Sequence, residues 1–147
     1  MVRKILRDAF LTNPLLRAVL PGYLWLKALR SPVAFGVSAI VEDVDGRVIL
    51  VRHSYQPGWH LPGGGVNRGE PPASAILREL REEIGLLKSD PPELTGIFTR
   101  RLGFVTNTVA LYRVHNAEFE FKPNYEIREI TRADPAAPPP DTAPGTR

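Results

Sequence analysis

Apolar and polar positions change their spacing several times along the 147-residue chain, and each change marks an element. Residues 33–41 are apolar and small. The turn signal Asp43-Val44-Asp45-Gly46 follows, and residues 47–52 carry the run Val48-Ile49-Leu50-Val51. This predicts a strand, a hairpin turn and a buried strand. Residues 56–69 read as a loop holding Gly58, Gly63, Gly64, Gly65 and Gly69, and a long glycine-rich loop inside a compact domain is usually functional. A helical period runs over residues 73–84, opened by Pro71 and Pro72 and stopped by Gly85. Further strands are expected over residues 94–99, 104–114 and 118–121.

Two flanking segments have different patterns. Residues 1–31 mix Ile5, Leu6, Phe10, Leu16, Val19, Leu20, Leu24 and Trp25 with basic groups, broken by Pro14 and by Pro21-Gly22. They read as two short amphipathic helices that pack on the domain or on a second copy of the chain, as in a homodimer. The alternative is peripheral contact with an anionic membrane surface. Residues 133–147 contain Pro135, Pro138, Pro139, Pro140 and Pro144 and are expected to be extended or disordered. The organisation expected is a basic leader (1–31), one domain (32–132) and a proline-rich tail (133–147).

Charge sharpens this division. The net charge of +3 splits into +5 for residues 1–31 (six basic groups, one acid) and −2 for the remainder (13 basic, 15 acidic). Six cations spread over the leader are too dilute to mark a phosphate-tracking surface, so no nucleic acid polymer is expected as a partner. Without cysteine there is no thiolate metal site and no disulfide, and a bound metal would take oxygen or imidazole ligands. The early charge-free run is only nine residues, 18–26, against the roughly 20 that a spanning helix needs. Arg7 and Asp8 interrupt the first apolar run, which disfavours a signal peptide, and a cytoplasmic protein is expected.

The helix is where chemistry enters. At about 100° per residue, Ile76, Leu80, Ile84 and Leu77 fall within one arc, and Glu82, Glu79 and Glu83 fall together beside it at about 240° to 340°. Three carboxylates at this spacing repel one another, so the pattern calls for compensation. Arg78 with Glu82 offers one opposite-sign pair, leaving Glu79 and Glu83 as a like-charged pair. A hard divalent cation, bound by oxygens and retaining waters and substrate phosphates, suits such a face next to a glycine loop.

From Gly64 to Leu86 the chain reads Gly64, five residues, Glu70, seven residues, then Arg78-Glu79-Leu80-Arg81-Glu82-Glu83-Ile84-Gly85-Leu86. This resembles the Nudix box, G-x5-E-x7-R-E-U-x-E-E-x-G-U with U apolar, at every defined position, and His60-Leu61-Pro62-Gly63 extends the likeness. The resemblance implies an α/β Nudix fold, a mixed β-sheet in an α/β/α sandwich with the box as a loop-helix-loop unit. It implies a hydrolase, a pyrophosphatase using Mg²⁺ or Mn²⁺, which attacks a nucleoside diphosphate linked to another group with water at phosphorus. Glu79, Glu82 and Glu83 match the metal-binding carboxylates, with Gly64 supplying a backbone carbonyl in some members. Glu70 matches a supporting acid, and Arg78 the residue that orients the helix carboxylates.

Members of the family differ in the proton acceptor, and Glu82 and Glu83 are the first candidates here. Glu118, Glu120, Glu126 and Glu129 stand outside the box, and of these Glu126 opens a segment resembling a late acidic element of many relatives. For substrate contacts, His53, Tyr55 and Trp59 flank the loop with rings that could stack on a base. Arg52, Arg100 and Arg101 could clamp phosphates. No residue pattern selects among ADP-ribose, a nucleotide sugar and a nucleoside-triphosphate-like compound. Two other functions fit parts of the chain: a Nudix domain that senses a nucleotide without hydrolysing it, and an adaptor working through the leader.

Overall fold

In the computed structural model, which describes residues 33–102 and 105–146, the sheet is built around two neighbouring strands that run in the same direction. β1 (Val33–Asp43) and β6 (Val105–Phe119) pair in parallel, from Val33 opposite Thr106 to Asp43 opposite Ala117. β2 (Val48–His53), β3 (Gly63–Gly65), β4 (Leu86–Lys88), β5 (Glu93–Leu102) and β7 (Ile127–Ala133) complete a mixed seven-stranded sheet. Its order is β4-β6-β1-β2-β7, with β3 added to β1 and β5 to β6. One helix stands among the described residues, α1 (Pro72–Ile84), and it packs on one face. The α/β class is the one expected. A second helical layer of the expected sandwich does not fall among the described residues, and the two helices expected within residues 1–31 lie outside them. Among the described residues no helix is long and apolar enough to cross a membrane.

Period-two burial sets the face beneath α1. Val37, Ala39 and Val41 stand opposite Ala110, Tyr112 and Val114, and all six are buried, whereas Gly36, Ser38 and Ile40 between them are half-buried. Onto this face α1 turns Ala75, Ile76, Leu80 and Ile84, with Leu77 at the margin of the stripe. Burying each of the larger side chains contributes roughly 1.5–3 kcal/mol. Gly85 ends the helix in the left-handed region (φ 70°) and returns its N–H to the Leu80 carbonyl. A Cβ at Gly85 would collide with the Glu120 carbonyl, so the glycine also lets the chain after β6 approach the helix end.

Several elements depart from the residue pattern. The two strands expected over residues 104–114 and 118–121 form one, β6, joined through a register shift where Asn116 takes a φ of 53°. Asparagine tolerates that conformation, and here its Nδ2 also donates to Asp90 Oδ2 at 2.7 Å. Within the expected loop, Gly63–Gly65 forms β3 and pairs antiparallel with Gly36, Val37 and Ser38. β7 has no strand signal in the residue pattern, because its buried residues, Ile127 and Ala133, do not alternate and a bulge offsets it against Arg52 and His53 of β2.

The proline-rich tail is neither extended nor unpartnered through its described part. Trp59 N–H donates to the Asp141 carbonyl at 3.1 Å and Ala143 N–H to the Trp59 carbonyl at 2.9 Å, while Thr142 is buried. Prolines have no N–H to give, so the pairing falls on the residues that follow the Pro138-Pro139-Pro140 run. Trp59 packs with Leu50 and Ala133 in a second apolar cluster, on the side of β2 away from Ile49 and Val51.

Leu80 sits at 0% exposure at the centre of the main core. Leu80→Ala is expected to lower the unfolding free energy by about 2–5 kcal/mol, seen as a lower urea midpoint with an unchanged denaturant slope.

Candidate active site

α1 places its acids where one cation can gather them. The Arg78 guanidinium donates from Nε to Glu70 Oε1 and from Nη2 to Glu70 Oε2, both at 2.9 Å. Its Nη1 donates to Glu79 Oε1 at 2.7 Å and lies 3.6 Å from Glu82 Oε2, and Nη2 also reaches the Gly65 carbonyl at 2.9 Å. The fork geometry of arginine suits this multiple grip. Glu70 in turn accepts from Asn67 N–H at 2.9 Å, and these bonds hold its carboxyl down at about 2 from an ordinary 4.5, the Arg78 bond contributing most. Loop, helix and acids are thus tied at one point.

The glycine loop meets the same helix one turn on. Gly63 N–H donates to Glu83 Oε2 at 2.8 Å. At Gly64 an added Cβ would stand 2.5 Å from the Glu79 carboxyl carbon, so this position must be glycine for the acid to lie against the backbone. Glu83 is only 3% exposed. Burial pushes its carboxyl up to about 8, partly offset by the Gly63 bond and reinforced by the charges of Glu79, Glu126 and Glu82.

Glu126 joins this group from the other side. Burial first, then the charges of Glu79 and Glu82, push its carboxyl upward. The Tyr55 hydroxyl is raised to about 12 by burial and then by the charges of Glu126, Glu83 and Glu79. The loop bearing Glu126 is held by two residues not singled out from the sequence, Ser54 and Asn124. Ser54 N–H donates to the Glu126 carbonyl and Ser54 Oγ to the Tyr125 carbonyl, each at 2.8 Å. Asn124 follows Pro123, an ordinary turn cue that carries no functional signal by itself.

Among the described residues no three acidic or histidine side chains are drawn together tightly enough to enclose a cation unaided. The donor set nevertheless fits a hard divalent ion. The oxygens it offers belong to carboxylates, these carry more negative charge than Arg78 neutralises, and Glu83 is buried with no cationic partner in its hydrogen bonding. A site of this kind is completed by water and substrate phosphate.

The other substrate candidates divide. Arg52 stacks over Trp59 at 4.3 Å and pairs with Asp141 at 2.6 Å and Glu129 at 3.0 Å, so both Arg52 and Trp59 serve to hold the tail. Trp59, 8% exposed, offers no free ring for stacking. His53 is buried, and burial with His60 nearby pushes its imidazole down to about 4. Arg100 and Arg101 lie exposed on β5 and line neither of two clefts. One cleft, of about 330 Å³, lies along Gly63, Gly64 and Gly65 with Phe35, Asn107 and Val109. The other, of about 420 Å³, is lined by Arg52, His53, Tyr55, Gly58, Arg128 and Asp141. Of the outside acids, Glu120 pairs with Lys122, Glu129 with Arg52, and Glu118 is exposed on β6.

A family model for the NUDIX domain matches residues 32–143, which carries the match past Ala133 into the docked tail. Over 54 residues the chain is 46% identical to the RNA pyrophosphohydrolase of Halorhodospira halophila (strain DSM 244 / SL1), covering 37% of this chain and 30% of that protein. The chain therefore spans about a third of the curated relatives it matches. The MutT protein of Methanosarcina mazei Go1 is similar in structure, at 25% identity and a TM-score of 0.60, over 69% of this chain and 77% of that one. The MutT NUDIX hydrolase of Burkholderia pseudomallei shares the fold at 24% identity and a TM-score of 0.68, over 78% and 93% of the two chains.

The Glu70–Arg78 pair has a defined pH signature. Because the Glu70 carboxyl is lower when folded, its contribution is complete above about pH 4.5 and fades as pH falls toward about 2. Glu70→Gln should unfold at lower urea than wild type at pH 6, and the gap between the two should narrow progressively below about pH 4.5 and close only as pH falls through about 2. A gap of constant size across that window would place the effect elsewhere.

Proposed function

Since the chain belongs to the Nudix family, whose members generally use divalent metal ions, we propose that it hydrolyses the pyrophosphate linkage of a nucleoside diphosphate joined to another group, with Mg²⁺ or Mn²⁺. The observation that carries this reading is the arrangement around Arg78 and Gly63, where Glu79, Glu82 and Glu83 of one helix are set against a glycine loop. Glu79, Glu82 and Glu83 would hold the metal, with the Gly64 carbonyl as a further oxygen. When bound, such an ion neutralises phosphate charge and lowers the pKa of a water.

The chain's own residues supply the rest. Arg78 fixes the direction of Glu79 by a hydrogen bond and draws Glu82 by an ion pair at 3.6 Å, and it keeps both next to Glu70. Gly63 N–H holds Glu83 by one oxygen, Oε2, leaving Oε1 for a ligand or for the proton of an attacking water. Glu82, with a side chain 56% exposed, is the other acceptor of that proton. The bare backbone of Gly63–Gly65 lets phosphates come close, and the cleft beside it, with Phe35 and the Asn107 amide, offers a base one apolar wall and one hydrogen-bonding group. The name carried by the curated relatives, RNA pyrophosphohydrolase, adds RNA to ADP-ribose, nucleotide sugars and nucleoside triphosphates as compounds to try.

A screen of these compounds with Mg²⁺, products identified by mass, tests the activity. Glu82→Gln and Glu83→Gln are each expected to lower kcat by on the order of 10²-fold while the folded state is kept, because shape is preserved and charge is lost. Glu79→Gln is expected to raise the Mg²⁺ concentration required. Undiminished turnover in both kcat variants would remove the assigned roles, and absence of turnover across the panel would favour nucleotide sensing.

A further inference from the structure

We infer that Asn124 is a positioning residue of this site: its side-chain amide clasps the loop bearing Glu126 to the last turn of α1 and so keeps Glu126 facing the box acids. The inference rests on the metal-dependent reading of the site proposed above.

The clasp is two-sided. Oδ1 of Asn124 accepts from the backbone N–H groups of Glu126 at 2.9 Å and Ile127 at 2.8 Å. Nδ2 of the same amide donates to the carbonyls of Glu82 at 3.3 Å and Glu83 at 3.5 Å. Those carbonyls belong to the last turn of α1, where no further helical N–H is available to them. One planar group therefore satisfies the peptide of Glu126 on one side and the peptides of two box acids on the other. It couples their backbones directly, with no long side chain between.

A clasp is needed because the groups it joins repel. Glu126 and the box acids share one sign, and carboxylates held near one another repel. The attachment of the loop to β2, through Ser54 to the carbonyls of Tyr125 and Glu126, does not involve α1. The turn is further closed by Asn124 N–H to the Ile127 carbonyl at 3.0 Å, which any residue at 124 except proline retains. Loss of the amide thus leaves the loop anchored to the sheet and Ile127 packed in the core, and removes the hydrogen bonds that tie the turn before Glu126 to the helix end. The expected consequence is outward relaxation of Glu126, with the fold kept.

The test is direct Mn²⁺ binding to the full chain by titration calorimetry, with unfolding midpoints recorded without metal. Asn124→Ala is expected to bind Mn²⁺ about tenfold more weakly than wild type, the scale of a group supporting a metal ligand. Glu126→Gln should show a similar loss, and the double variant should be no weaker than Glu126→Gln alone, since both changes remove one effect. Asn124→Asp keeps the acceptor for the loop N–H groups and loses the donor to α1. It should bind Mn²⁺ more weakly than wild type despite its added negative charge, and it supplies the comparison if Asn124→Ala does not fold. Unchanged affinity in both Asn124 variants, or losses that add in the double variant, would overturn the clasp and leave the metal reading standing. No Mn²⁺ uptake by the wild type would instead overturn the metal reading, and the clasp with it.

Discussion

Crowding of like charge on one helix face is the constraint around which the rest is arranged. Glu79, Glu82 and Glu83 come from adjoining turns, and Glu126 is brought toward them by a separate loop. In water such a group would spread apart. It stays together because each acid is tied at another point: Glu79 and Glu82 to Arg78, Glu83 to the Gly63 amide, and Glu126 through its backbone to Ser54 and Asn124. Removing the glycine loop would free Glu83 and take from Arg78 its Gly65 carbonyl, so loop and helix act as one unit.

That unit needs a stiff base. The parallel pairing of β1 and β6 sets Gly36, Val37 and Ser38 against β3, and β3 is the loop segment that donates to Glu83. The same two strands present the apolar face on which Ile76, Leu80 and Ile84 of α1 rest. Helix and loop are therefore both located from one strand, β1, the loop along its edge and the helix on its buried face, and their separation is fixed by the packing of a core rather than by the flexible acids themselves.

The order of residues reveals some of this and hides the rest, for physical reasons. β1, β2 and α1 are readable because each repeats its apolar spacing over enough residues. The box acids are readable because their spacing matches a helix turn and a family motif together. β3 is hidden because three glycines have no side chains to alternate, and the single β6 is hidden by the bulge at Asn116. The tail misleads most: prolines predict an unpaired chain, and the pairing is made by the Asp-Thr-Ala that follows them. Arg52 and Trp59 were open to a role at the substrate because the partner that occupies them, Asp141, is remote in sequence. Asn124 is equally silent, since its meaning comes from carbonyls of a helix some forty residues earlier.

The pairing of Trp59 with Thr142 also bears on when the domain can be finished during synthesis. A partner made some eighty residues later cannot be present while Trp59 leaves the ribosome. Until it arrives, the Trp59 backbone lacks its hydrogen-bond partners and Arg52 lacks its Asp141 counter-charge. Contacts so distant along the chain form late and leave apolar surface waiting. Residues 141–143 thus act as a closing stitch, securing the Trp59 edge only after the strands before them are already in place.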